Sequence, residues 1–189
     1  MLDLVDDWVW DFWTADDGSA YHLFFLKASR SLGDPDLRHH NASVGHAVST
    51  DLVSWTRVPD ALVPQQPAAY DDLATWTGSV ALGEDGLWWM FTSGISQADG
   101  IFVQRIGVST SDDLLTWTRR PGPPLVSDPT WYAVRGDDVP VEQWRDPFVV
   151  RDEDGLWHMY LTAATSGRGP VPSGTPRHPI WSAGRSGPR

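Results

Sequence analysis

One segment returns three times along the chain: Asp17-Gly18-Ser19-Ala20-Tyr21-His22-Leu23-Phe24, Asp85-Gly86-Leu87-Trp88-Trp89-Met90-Phe91 and Asp154-Gly155-Leu156-Trp157-His158-Met159-Tyr160. The copies lie at near-equal intervals of about 70 residues, so one structural unit is used repeatedly. A second segment, Gly-His-Ala-Val-Ser-Thr-Asp-Leu-Val-Ser-Trp at 45–55, returns as Gly-Val-Ser-Thr-Ser-Asp-Asp-Leu-Leu-Thr-Trp at 107–117. An Asp-Gly pair between two apolar runs is the signature of a β-hairpin. Each unit therefore holds an inner run, an Asp-Gly hairpin into a second strand, a glycine-containing third strand and an Asp-Leu-x-x-Trp edge. Four strands per unit at this period, with almost no helical pattern competing, predict an all-β chain built of antiparallel propeller blades.

Composition narrows the function. With 41% apolar and 12% aromatic residues among 189, the chain can bury a sizeable core. A net charge of −11 and the lack of a basic cluster remove the footprint of nucleic-acid binding. No apolar run reaches bilayer length, and the amino terminus, with Asp3, Asp6 and Asp7, lacks a basic stretch followed by an apolar one. No membrane partner and a cytoplasmic location are expected. The absence of cysteine excludes disulfides, thiol catalysis and thiolate metal sites. His22, His46 and His158 fall at repeated strand positions without metal-ligand spacing and are read as packed or edge residues, so no metal is expected. No phosphate-cradling glycine loop or Ser-His-Asp set is present, and no cofactor is expected. Twelve tryptophans are unusual; most serve the core, but indole faces also suit the apolar faces of sugar rings.

The inner runs of the three units are Val9-Trp10-Asp11-Phe12-Trp13, Thr75-Trp76-Thr77-Gly78-Ser79-Val80 and Trp144-Arg145-Asp146-Pro147-Phe148. Asp11, among indoles, must face a solvated cavity or carry a raised pKa; a strand edge facing water is the plainer alternative. Pro147 cannot donate to a ladder, which places Arg145 and Asp146 at a strand mouth. There the guanidinium is expected to depress the Asp146 pKa, although a merely structural ion pair fits the same residues. Inner strands line a propeller's channel, so Asp11 and Asp146 should share a pocket with Arg145, Ser79, Trp10 and Trp76. Paired carboxylates in an aromatic cleft are the equipment of glycoside hydrolysis. Asp71-Asp72 and Asp112-Asp113 read as turn or blade-edge acids, and Asp137-Asp138 lies in the loop before the Arg-Asp-Pro segment.

These motifs resemble the amino-terminal part of the five-bladed β-propeller glycosidases of families 32, 43 and 68, and most of all the family 32 β-fructosidases. The acid of the first inner strand (Asp11), the aromatic-x-Gly-Ser motif (Trp76-Thr77-Gly78-Ser79) and Arg145-Asp146-Pro147 carry the resemblance, over about residues 8–165. It implies that Asp11 is the nucleophile, that Asp146 holds sugar hydroxyls and stabilises the transition state, and that the substrate is a furanosyl, chiefly fructosyl, carbohydrate. Where the fructosidases read Asn-Asp-Pro-Asn-Gly, this chain reads Trp10-Asp11-Phe12-Trp13. A family 43-like inverting arabinofuranosidase or xylosidase and a non-catalytic carbohydrate-binding propeller remain open alternatives.

The family's acid is a glutamate after the Arg-Asp-Pro strand. Of the three glutamates, Glu84 and Glu153 sit in the hairpin turns and Glu142 precedes Asp146, so none fills that place. Three units are also too few to close a ring without exposed edges. The expectation is a partial propeller over 1–167, with blades near 8–65, 70–130 and 140–167, the third incomplete, and a chain inactive by itself. Residues 168–189 hold five prolines, four glycines, four arginines and no acid. Such a tail is disordered by composition, but a shifted reading frame over 173–184 permits Ile-Gly-His-Ala-Thr-Ser-Pro-Asp-Leu-Val-Ser-Trp, close to segment 45–55. The tail is therefore read as a frameshift product of a longer glycosidase gene.

Overall fold

The structure, a computed structural model, describes residues 4–136 and 138–166. Ten strands form three antiparallel sheets. The first is β1 (Asp7–Asp16), β2 (Tyr21–Ser29), β3 (Ser43–Ser49) and β4 (Thr56–Leu62), paired in that order. The second is β5 (Ala74–Leu82), β6 (Trp88–Ser96), β7 (Gly100–Ser111) and the two-residue β8 (Thr118–Arg119). The third holds β9 (Trp144–Arg151) and β10 (Trp157–Ala163), and β10 is paired on one side only among the described residues. These are two complete blades and the start of a third. The tail at 168–189, and with it the frameshift reading, lies outside the described residues.

The repeated motifs fold alike because they solve the same local problem. Gly18, Gly86 and Gly155 take φ of 86°, 79° and 81° in the hairpin turns, a region closed to most side chains. At the blade edges, Asp51 accepts from the backbone N–H groups of Val53 and Ser54, and Asp113 from those of Leu115 and Thr116. Those bonds hold Leu52 and Leu114 at an unfavourable φ of 61° in both copies. The segment 34–41 contains a 3-10 turn (Pro35–His40) whose N-cap Asp34 accepts from the N–H of Asp36.

Apolar faces pack between the blades: Trp13, Phe24, Leu26 and Val44 of the first meet Met90 and Leu114 of the second. Trp89, Phe91 and Ile106 of the second meet Trp144 of the third. His22 and His46 belong to this interior, with Nδ1 of His22 and Nε2 of His46 3.0 Å apart and the His46 ring stacked on Phe24. Burial, and secondarily His22, lowers the His46 pKa to about 4.

Asp71 and Asp72 lie in the turn before β5, as one of the two readings has it, but they are not solvated there. Asp71 is fully buried where the first blade hands over to the second, and Asp72 is nearly so. The Arg119 guanidinium meets Asp71 at 2.6 Å while donating to the carbonyl of Val63, and Gln65 donates to the other carboxylate oxygen at 2.6 Å. A buried carboxylate is tolerable only with such partners. Replacing Arg119 with methionine leaves Asp71 uncompensated, and should cost about 3–5 kcal/mol of stability in urea unfolding; Asp71→Asn in the same background should recover much of it.

Candidate active site

Each inner strand breaks its ladder once, and the three breaks meet. In β1 the register shifts between Trp10 and Phe12, leaving Asp11 unpaired at φ 39°. In β9 the shift spans Arg145 to Phe148, leaving Asp146 at φ 58°. In β5 it lies between Thr75 and Gly78 and leaves Trp76 and Thr77. Bulges re-aim side chains and recur beside active sites, and aspartate is among the few non-glycine residues that accept positive φ. Pro147 thus lies inside β9 rather than at its mouth, tolerated because a bulged residue owes the ladder no N–H. Gly78 is required by the β5 break, since a Cβ there would stand 2.1 Å from the carbonyl oxygen of Phe91.

β5 packs against both β1 and β9 and holds the first carboxylate directly. Thr77 Oγ1 donates to Asp11 Oδ2 at 2.6 Å, holding a side chain that is otherwise exposed. Asp146 is half-buried, with Arg145 Nε at 3.2 Å and Thr162 Oγ1 donating at 3.3 Å to the same Oδ2. Arg145 also reaches Gln143 and, at 3.4 Å, Gln104 Oε1.

The electrostatics of Asp146 run opposite to expectation. Burial raises its pKa above the ordinary carboxylate value, and the Arg145 charge and the Thr162 hydroxyl offset this only in part; the nearby Asp11 charge adds to the rise. The pair is real, but desolvation outweighs a guanidinium shared with two amide oxygens.

The remaining predicted residues divide. Trp10 and Trp76 stand beside Asp11 but also pack the segment 34–41. The Trp10 ring meets His39 edge-on at 5.8 Å with the Arg38 guanidinium 5.6 Å above it, and Trp76 Nε1 donates to the His39 carbonyl at 2.7 Å. Burial lowers the His39 pKa, and Asp11 acts on it in the opposite sense. Ser79 is buried, and its hydroxyl accepts from the N–H of Val149 at 3.1 Å, so it joins the second and third blades. Thr77, two residues earlier, does what was expected of Ser79. Its position was readable, since Thr77 precedes Asp85 by the same offset as Asp146 precedes Asp154. Thr162, Gln104 and His39 carried no sequence signal.

The glutamates are engaged elsewhere. Glu142 is buried, accepting from Ser127 Oγ and from the N–H of Arg135. Glu84 pairs with Arg151, and Glu153 is exposed in the β9–β10 turn, at the far end of the strand from Asp146. Asp137 lies outside the described residues, and Asp138 is exposed. Among the described residues no cluster of three or more His, Asp or Glu side chains suits a metal ion, and no helix is long and apolar enough to cross a membrane.

The sequence model of the Glycosyl hydrolases family 32 N-terminal domain matches residues 14–172. The chain belongs to glycoside hydrolase family 32. That match begins just after Asp11, so the first carboxylate rests on the bulge geometry and not on the family match. The chain is 35% identical over 145 residues to acid beta-fructofuranosidase AIV-18 of Capsicum annuum, covering 75% of this chain and 20% of that enzyme. Against the acid beta-fructofuranosidase of Solanum lycopersicum the figures are 33% over 145 residues, 75% and 21%. The chain thus spans about a fifth of the length of the curated relatives it matches. In fold it is similar to fructan 1-exohydrolase IIa from Cichorium intybus, with a TM-score of 0.61 at 21% identity over 84% of this chain and 28% of that one. Exo-inulinase from Aspergillus awamori gives 0.59 at 23% identity, over 84% and 33%. Its family 32 sheets are blades of a five-bladed β-propeller, whose amino-terminal part this chain covers.

A raised Asp146 pKa makes stability depend on pH with a definite sign. Its contribution to folding is fully present below the unfolded value of about 3.9 and is lost as pH rises through the higher folded value. Asp146→Asn, neutral throughout, should therefore gain stability relative to wild type between about pH 4 and pH 7. Urea unfolding of both proteins at several pH values measures this, and a difference that stays flat refutes the assignment.

Proposed function

We propose that this family 32 chain supplies the nucleophile and the transition-state-stabilising carboxylate of a β-fructosidase, an enzyme that hydrolyses or transfers terminal fructosyl units of sucrose- or fructan-type carbohydrates. The observation that carries the reading is that Asp11 and Asp146, each on a bulge of a different blade, are both tied to the β5 bulge, Asp11 through the Thr77 side chain and Asp146 through Ser93. The fructofuranosidase and fructan exohydrolase names of the relatives support the substrate class. Family 32 membership favours this reading over the inverting family 43 alternative.

In this reading Asp11 Oδ1 attacks the anomeric carbon while Thr77 fixes the carboxylate through Oδ2. Attack forms a C–O bond as the glycosidic C–O bond breaks, and water later releases the sugar from the aspartyl ester. Asp146, paired to Arg145, accepts from sugar hydroxyls and opposes the positive charge that develops on the ring. In this reading the proton for the leaving oxygen comes from an acid other than the three glutamates here, one for the part of the relatives' length that this chain does not span to supply.

In the full-length protein, Asp11→Ala should lower kcat on sucrose or inulin by about four orders of magnitude or more. Added azide should restore part of the rate with a fructosyl azide product. Asp146→Ala should lower kcat/KM by about 10²–10³-fold with no azide rescue. Equal rescue of both variants, or an inverted sugar product, would remove Asp11 from the nucleophile's role.

A further inference from the structure

The two carboxylate bulges sit on different blades, and the first and third blades are connected through the second. Thr77 reaches Asp11 with its side chain, but its backbone carbonyl points the other way, into the second blade. There it accepts from Ser93 Oγ at 3.2 Å. The same oxygen accepts from the backbone N–H of Asp146 at 2.8 Å. Ser93 lies on β6 and is fully buried. A single hydroxyl thereby closes a path of three hydrogen bonds: Asp11 carboxylate to Thr77 side chain, Thr77 carbonyl to Ser93, Ser93 to the Asp146 amide.

We infer that Ser93 is a positioning residue that sets the spacing of Asp11 and Asp146 by fastening the β9 bulge to the β5 bulge. The chemistry favours a hydroxyl at this position. Bulge residues lose their ladder partners, so the Asp146 N–H and the Thr77 carbonyl both need a partner from outside the ladder. One donates and the other accepts, and among small uncharged side chains only serine or threonine answers both through one atom. Alanine leaves a part-buried donor and a part-buried acceptor without a partner. The β9 bulge is then free to relax, and displacement by a fraction of an ångström suffices to impair a reaction that depends on two groups at once.

The inference rests on the reading of Asp11 and Asp146 as the working carboxylates, and its tests separate the two. The first test needs no activity. Residue-resolved hydrogen exchange on the full chain should find the Asp146 amide protected in wild type and in Ser93→Thr. In Ser93→Ala it should exchange about tenfold faster or more, while the Phe91 and Met90 amides of the blade interior keep their rates. An unprotected Asp146 amide in wild type, or equal rates in wild type and Ser93→Ala, overturns the inference. The wild-type amide decides alone if the alanine variant is too unstable to study. The second test is kinetic, on the full-length protein. Ser93→Ala should lower kcat/KM about 10–100-fold per folded molecule, Ser93→Thr should restore it, and Ser93→Ala should add little once Asp146 is already alanine. Additive losses in that double variant would make Ser93 merely structural. No wild-type turnover on β-fructosides would count against the proposed function, leaving the exchange result to judge Ser93.

Discussion

A break in the ladder at one point of each inner strand is the constraint on which the site depends. An intact antiparallel strand sends side chains alternately to its two faces, and both faces of an inner blade strand are claimed by neighbouring blades. A polar side chain reaches the space in front of the sheet only where the alternation is interrupted. Asp11, Thr77 and Asp146 stand at such interruptions in three successive blades. The cost is paid locally, in left-handed backbone at the two aspartates and in a glycine after Thr77 that lets β5 close back onto β6. Aspartate is suited to the first and glycine to the second, so the residue types at the breaks answer the backbone as well as the chemistry.

Between blades, directional hydrogen bonds do what apolar packing cannot. Burial of Trp13, Phe24, Met90 and Ile106 draws the sheets together, but a contact between apolar faces tolerates sliding and rotation. The polar joints do not. Ser79 holds the Val149 N–H, Ser93 holds the Asp146 N–H, Trp76 holds the His39 carbonyl, and Arg119 joins Asp71 to the Val63 carbonyl. Each bond contributes about 1 kcal/mol net, whereas leaving one half unmatched costs more. One of these joints, Ser93, also holds a site aspartate by its backbone amide.

The parts of this arrangement legible in the sequence are those encoded by neighbours in the chain. Asp17-Gly18, Asp85-Gly86 and Asp154-Gly155 mark hairpins because the turn needs positive φ within two residues, and the repeat then yields the strand order. Asp11 and Asp146 stood out as lone acids in apolar runs. What stayed hidden depends on distant residues or on parity. The aromatic-x-Gly-Ser motif points to Ser79, whereas the residue that reaches Asp11 is Thr77, because the β5 register shifts before Gly78 and a shift of one residue exchanges the faces. The burial of Asp71 in its turn is invisible in the sequence because Arg119, which makes that burial tolerable, comes far later in the chain. The sign of the Asp146 shift is hidden for a related reason. Its neighbour Arg145 is visible in sequence, but the dehydration that outweighs it comes from blades that meet only in the fold.

The two carboxylates end in unlike surroundings, and that difference is what the separate roles proposed for them would need. Asp11 is exposed and held through one oxygen by a hydroxyl, an arrangement that orients the group and leaves its other oxygen open. Asp146 is drawn inward, its amide bound by Ser93 and its carboxylate flanked by Arg145 and Thr162. A group fixed at both backbone and side chain is suited to holding a substrate, and one with a free oxygen to attacking it. Dehydration raises the energy of the Asp146 anion, so a positive charge developing in front of it gains more than it would from an anion in water. Arg145 then limits that cost instead of abolishing it, because its guanidinium is divided among Asp146, Gln143 and Gln104. In the proposed mechanism, a fuller ion pair would quench the field that a developing cation would meet.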